Sequence, residues 1–157
     1  MKNNFQLVAL DATQFTPLFE KNDKDLEALG ARRMTVNEKP GTPCRVSLVD
    51  AEIGEEVILI PHTHHATTSP YQASGPIFVR KSVATATLGI NEIPLMLHHR
   101  LLSLRGYDTN AMMIEADVVE GRVLADSISH IFKNASVAYI HIHNARPGCY
   151  NCLVKRA

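Results

Sequence analysis

The chain has 157 residues, of which 45% are hydrophobic and 20% charged, far from the composition in which chains stay disordered. One core over residues 1–157 is expected, burying roughly 68–70% of the surface the unfolded chain exposes, so folding needs neither disulfides nor a structural metal. Sixteen basic residues cancel sixteen acidic ones, which leaves no overall field to attract nucleic acid or an anionic membrane.

The first apolar run, Phe5 to Leu10, reads as a strand and is cut off by Asp11, too short for a secretory segment. No stretch approaches the ~20 apolar residues of a membrane helix, so a cytoplasmic location is expected. Thr16-Pro17 places a cap and a proline before a short helix through Glu20. Asp23 can cap a second helix, Lys24 to Leu29, which Gly30 would end. The chain then turns extended. Lys39 to Pro43 is a proline-rich loop, and Cys44 to Val49 reads as a strand. The run Glu56 to Pro61 is the strongest strand signal of the first half. Pro61 to Gly75 reads as a long polar loop carrying His62, His64 and His65, followed by a strand over Pro76 to Arg80. Ser82 to Gly89 reads as a surface connection.

Leu95 to Leu104 fits neither a clean helical stripe nor strict alternation, and a brief helix running into a strand is expected. Met112 to Val119 alternates as a strand. After Gly121, the pairs Val123 and Leu124, Ser127 and Ile128, Ile131 and Phe132 recur every four residues and build the clearest helix. Val137 to His143 alternates as a strand, and Cys149 to Val154 reads as the last one. These elements predict an α+β fold: a mostly antiparallel sheet of about six to eight strands with two or three short-to-medium helices. Its core is predicted to contain Val57, Leu59, Ile77, Val79, Ile128, Ile131, Phe132, Ile140 and Ile142.

In Val137 to His143 the period of two puts Tyr139, His141 and His143 on one face and Ile140 and Ile142 on the other. Two histidines at i and i+2 can converge on one cation such as zinc, with His64 as the expected third ligand. Acid/base use of the imidazoles without metal is a second reading. In a third, both histidines sit at a sheet edge and bond to Tyr139 or to backbone. Asn144 to Tyr150 could place Arg146 and Cys149 beside the imidazoles, making Cys149 a candidate nucleophile. Equally, Arg146 could tie down a turn while Cys149 packs inward.

Arg45, Arg80 and Arg105 follow apolar runs. If they meet Arg146 and Asn144 in space they would bind a carboxylate or phosphate; ion pairs with Asp50, Glu52, Asp108 and Asp117 explain them as well. Tyr71 precedes Ser74-Gly75-Pro76 and suits a ligand rim or a plain turn. Cys149 and Cys152 have C-x-x-C spacing, but positions three apart on a strand face opposite ways, so no disulfide between them is expected. No P-loop, G-x-G-x-x-G after a strand, H-E-x-x-H or G-x-S-x-G occurs.

Five stretches carry a resemblance: Pro40 to Leu48, Gly54 to Val57, Ser69 to Arg80, Leu101 to Arg105, and Tyr139-Ile140-His141-Ile142-His143-Asn144-Ala145-Arg146-Pro147-Gly148-Cys149. Together they resemble the bacterial domain of unknown function 1203 family. The resemblance implies a small stand-alone bacterial protein and brings no activity with it. It covers Cys149 and not Cys152, and it favours His64, His141 and His143 over His62, His98 and His99.

Three functions stay open. The chain is an enzyme using His141 and His143, with Cys149 as candidate nucleophile, with or without a divalent metal on His64, His141 and His143, and with Arg146 holding an anionic substrate; a non-catalytic module binding a small anionic molecule through Arg45, Arg80, Arg105 and Arg146; or a protein-interaction domain.

Overall fold

The computed structural model describes residues 2–157. Among them, eight antiparallel strands form two sheets. A five-stranded sheet has the order β1-β8-β7-β5-β6, with β1 Phe5–Val8, β5 Leu101–Tyr107, β6 Met113–Glu120, β7 Tyr139–Asn144 and β8 Tyr150–Arg156. A three-stranded sheet has the order β2-β3-β4, with β2 Arg32–Thr35, β3 Glu56–His65 and β4 Ala73–Arg80. The α-helices are α1 Asp23–Ala28, α2 Leu95–His98 and α3 Leu124–Ile131.

Alternation along β5, β7 and β8 sorts the large sheet into two unlike faces. Leu102, Leu104, Ile140, Ile142, Cys152 and Val154 pack in one apolar cluster with Met96, Leu97, Leu124, Ile128 and Phe132 of the α2 and α3 region. The four-residue recurrence read from the sequence supplies the helical side of this contact. A second cluster joins Ile58, Ile77 and Val79 of the small sheet to Phe15, Leu18, Leu26, Cys44 and Val46. Gly121, three residues before α3, packs directly on α2: a Cβ there would stand 1.7 Å from the Leu97 carbonyl oxygen.

Four expectations need correction. Cys44 to Val49 forms no strand. Leu48 takes a left-handed φ of 52°, and Leu48 N–H donates to the Cys44 carbonyl at 3.0 Å while Cys44 N–H donates to Val49, so the segment curls on itself. Helix α1 is capped by Asn22, whose side chain accepts from Asp25 N–H, rather than by Asp23. The predicted loop from Pro61 is strand as far as His65, because pairing with β4 outweighs its polar composition. Leu59 is only half-buried, and Ile58 takes the fully buried place. The other predicted core residues are buried.

Candidate functional site

The second face of the large sheet is polar and aromatic. Register sets His143 opposite Ser103, His141 opposite Arg105 and Tyr139 opposite Tyr107, and residues directly opposite on antiparallel strands share a face. A register shift between β7 and β8 falls at Ile142 and His143, after which Tyr150 stands opposite His143. The Tyr150 ring lies 5.6 Å from the His143 ring and 5.1 Å from that of His141.

Strand β3 covers this face. Its pairing with β4 shifts register between His62 and His65, and such a bulge breaks the alternation that would turn consecutive side chains to opposite sides. Consistent with that, both His64 and His65 approach β7. The His64 ring lies 4.9 Å from His143 and 6.1 Å from His141, and stacks on Tyr150 at 5.1 Å. The His65 ring lies 5.0 Å from His141 and 4.2 Å from Tyr107.

Hydrogen bonds assign two tautomers. His65 Nδ1 meets the Tyr71 carbonyl at 2.8 Å, so it carries the proton and Nε2 accepts from the Tyr139 hydroxyl at 2.6 Å. His143 Nδ1 likewise donates to the Gly148 carbonyl at 2.9 Å. The buried atoms His143 Nε2, His141 Nδ1 and His64 Nδ1 have no hydrogen-bond partner.

Burial dominates the titration of these rings. It lowers His64 and His143 to about 4 and His141 to about 3, with Arg105 and neighbouring imidazoles adding to the shift. All three are therefore neutral near pH 7. Among the described residues, no group of three or more His, Cys, Asp or Glu side chains is already arranged to hold a metal ion.

A separate cleft of about 600 Å³ opens at the β7–β8 turn, lined by Arg45, Arg100, Arg146, Asn144 and Cys149 with Pro43, Phe78, Leu101 and Pro147. Arg45 is 1% exposed. Its backbone is pinned to β4, with N–H donating to the Phe78 carbonyl. Its guanidinium donates to the Tyr150 carbonyl at 2.7 Å, to the Pro43 carbonyl, and to Cys149 Sγ at 3.1 Å. Burial pulls this guanidinium below the usual arginine range, while the Cys149 sulfur opposes the shift. Cys149 Sγ also accepts from Asn144 Nδ2 at 3.3 Å, and Asn144 is held in turn by Asn151 at 2.8 Å. Arg100 forms a bidentate pair with the buried carboxylate of Asp50.

The fold thus brings the sequence candidates together in two groups. His64, His141, His143 and Arg105 share the histidine face, whereas Arg45, Arg146, Asn144 and Cys149 line the cleft. Neither His141 nor His143 lines the cleft, and the partners of the Cys149 sulfur are Arg45 and Asn144 rather than an imidazole. Arg80 belongs to neither group: its guanidinium is held by Glu55 at 2.9 Å and by Ser47 at 3.2 Å. Tyr71 contributes its carbonyl to His65, and the residue is 37% exposed. All three cysteines are free, and Cys152 is buried in the apolar core, where burial pushes its thiol up to about 12.

Sequence reading missed Tyr107, Tyr150 and Arg100. Tyr107 was discoverable, since it stands two residues after Arg105 on the same strand. Tyr150 and Arg100 gave no signal, because a bulge places one and a tertiary ion pair places the other.

The family described as "Protein of unknown function (DUF1203)" matches residues 41–156. No curated protein and no solved structure matches the chain. No helix among the described residues is long and apolar enough to cross a membrane.

Proposed function

The chain belongs to the DUF1203 family, and we propose that it binds a small anionic molecule in the cleft over Arg45. The observation that carries this reading is a fully buried guanidinium whose hydrogen-bond partners include no carboxylate. Buried charges are ordinarily paired, because desolvating an unpaired ion is costly. Here three N–H groups are held by two carbonyls and a sulfur, and a guanidinium has five. An anion in the cleft would supply the missing charge.

Other lining groups suit the same ligand. Arg146 is exposed at the rim, and Asn144 has one Nδ2 proton left beyond its bond to Cys149. Phe78, Leu101, Pro43 and Pro147 add apolar surface. A cleft of about 600 Å³ is within the range of small-molecule sites. The expected ligand therefore pairs a carboxylate or phosphate head with a modest apolar body.

Cys149 favours a second, chemical reading of the same cleft. Cys149 is half-buried on the wall of the cleft, and its sulfur accepts from N–H groups of Arg45 and Asn144. In that reading the anion is an acyl donor: the Cys149 sulfur bonds to its carbonyl carbon, the bond from that carbon to the leaving group breaks, and the leaving group departs with the thiol proton.

Calorimetric titration with inorganic phosphate and with benzoate tests the binding reading. Saturable binding that weakens in Arg146→Ala and persists in Arg80→Ala supports it. Absence of binding by both probes, or equal loss in the two variants, overturns it.

A further inference from the structure

The histidine face is separate from that cleft, and the anion-binding reading makes no use of it. We propose that His64, His141 and His143 form a binding site for a divalent transition-metal ion of the zinc type, gripped between β3 and β7.

Three ring nitrogens with no partner carry the argument: His64 Nδ1, His141 Nδ1 and His143 Nε2, all buried. His141 is 4% exposed and His143 is 0% exposed, so solvent does not satisfy them. Buried polar atoms in folded proteins are normally paired, and an unpaired cluster calls for a missing occupant.

The chemistry of the donors selects a metal. A ligating histidine commonly donates its second ring N–H to a carbonyl or carboxylate, which fixes the tautomer and aims the other lone pair. His143 already does this, since Nδ1–H is spent on the Gly148 carbonyl and Nε2 is left as a bare lone pair. His64 is held in plane by stacking on Tyr150. The cluster contains neutral imidazoles and no carboxylate, and such nitrogen sets suit zinc, copper or nickel over calcium or magnesium.

Geometry places the rings one small movement from closure. Imidazoles bound tetrahedrally at Zn–N distances of about 2.0–2.1 Å have ring centroids roughly 5 Å apart. The His64–His143 separation is 4.9 Å, whereas His141 stands 6.1 Å from His64 and 6.4 Å from His143. An inward shift of the His141 ring by about 1.4 Å, reached by side-chain adjustment on binding, would complete the triangle. No ligating group of three stands preformed among the described residues, so the proposed site depends on that shift. A fourth position is then left for water or an anion, and Arg105, opposite His141 on β5, favours an anion there.

The test uses full-length protein without a histidine tag, stripped with chelator and titrated with zinc and with cobalt(II). One equivalent should bind, raise the melting temperature and give the visible absorption of tetrahedral cobalt. His64→Ala and His141→Gln should each weaken binding roughly 100-fold or more, and His98→Ala should leave it unchanged. If His141→Gln does not fold, His64→Ala carries the test, because its side chain is only half-buried. A circular-dichroism spectrum confirms that fold. Absence of saturable binding, or binding that survives both His64→Ala and His141→Gln, overturns the proposal and leaves a buried water as the occupant. Phosphate titration of the same samples reads the cleft independently, so failure of one site is distinguishable from failure of the other.

Discussion

Arg45 donates from Nη2 to the Cys149 sulfur at 3.1 Å, across 104 residues of sequence. The contact ties the irregular segment after Pro43, which is itself hydrogen-bonded to β4, to the turn between β7 and β8. It joins the two sheets and closes the floor of the cleft. The same guanidinium holds the Tyr150 carbonyl, and the Tyr150 ring packs against His64. Cleft and histidine face therefore share one anchoring residue.

Removing that anchor should be costly. Arg45→Met leaves the carbonyls of Pro43 and Tyr150 buried without a donor, each at roughly 1–3 kcal/mol, so a loss of about 2–6 kcal/mol is expected. Arg45→Lys should recover little of it, because an ammonium lacks the planar fork. Urea unfolding of the three proteins measures this, and a loss under about 1 kcal/mol for Arg45→Met would contradict the assignment.

The three thiols should differ in access. Cys44 and Cys152 are 0% exposed, while Cys149 is half-buried on the wall of the cleft. Iodoacetamide under native conditions should therefore label Cys149 first, read by peptide mass spectrometry. Phosphate should slow that labelling if the cleft takes anions. Equal rates for all three would contradict the burial of Cys44 and Cys152.

Acid should destabilise the protein through its histidines. His64 and His143 are lowered to about 4 and His141 to about 3, whereas unfolded histidine titrates near ~6.5. Between those values the unfolded chain binds more protons, so stability is fully present above pH ~6.5 and falls as pH drops toward the folded values. Melting temperatures measured between pH 7.5 and 4.5 should decline, and the decline should be shallower in His141→Gln. A flat profile in the parent protein would refute the neutral-imidazole cluster.

Gly121 should tolerate no side chain. A Cβ there would stand 1.7 Å from the Leu97 carbonyl oxygen and 2.8 Å from the carbonyl carbon of His98. Both are backbone atoms of α2 that have to move for Gly121→Ala to fold. Overpacking of this kind costs typically 1–3 kcal/mol, and rigid backbone puts this site at or above the top of that range. Thermal unfolding measures it.

Tyr139→Phe should cost about 1 kcal/mol, the net worth of one hydrogen bond, by removing the O–H donated to His65 Nε2. The tautomer assignment implies that His65→Phe costs more, since it also strands the Tyr71 carbonyl. Unfolding free energies in the reverse order would show that the assignment is wrong.

The sequence by itself determined the local periods. In β7 the alternation of Ile140 and Ile142 with His141 and His143 already separates an apolar face from a polar one, and the four-residue recurrence through Ile128 and Phe132 supplies the helix that covers the first. These readings work because side-chain direction along a strand or helix is a property of the local backbone.

Only the tertiary structure decided what covers the second face. The strand β3 continues through His65 by pairing with β4, and a bulge turns His64 and His65 toward β7 together, which no period of two can express. It also decided that Arg146 stands apart from the histidines, because the turn after β7 carries it to the cleft. The burial of Arg45 is the sharpest case. A charged side chain read from sequence belongs at the surface, yet carbonyls from Pro43 and Tyr150 and the sulfur of Cys149 converge on it from distant parts of the chain. Convergence of that kind is set by how two sheets pack, and local composition carries no record of it.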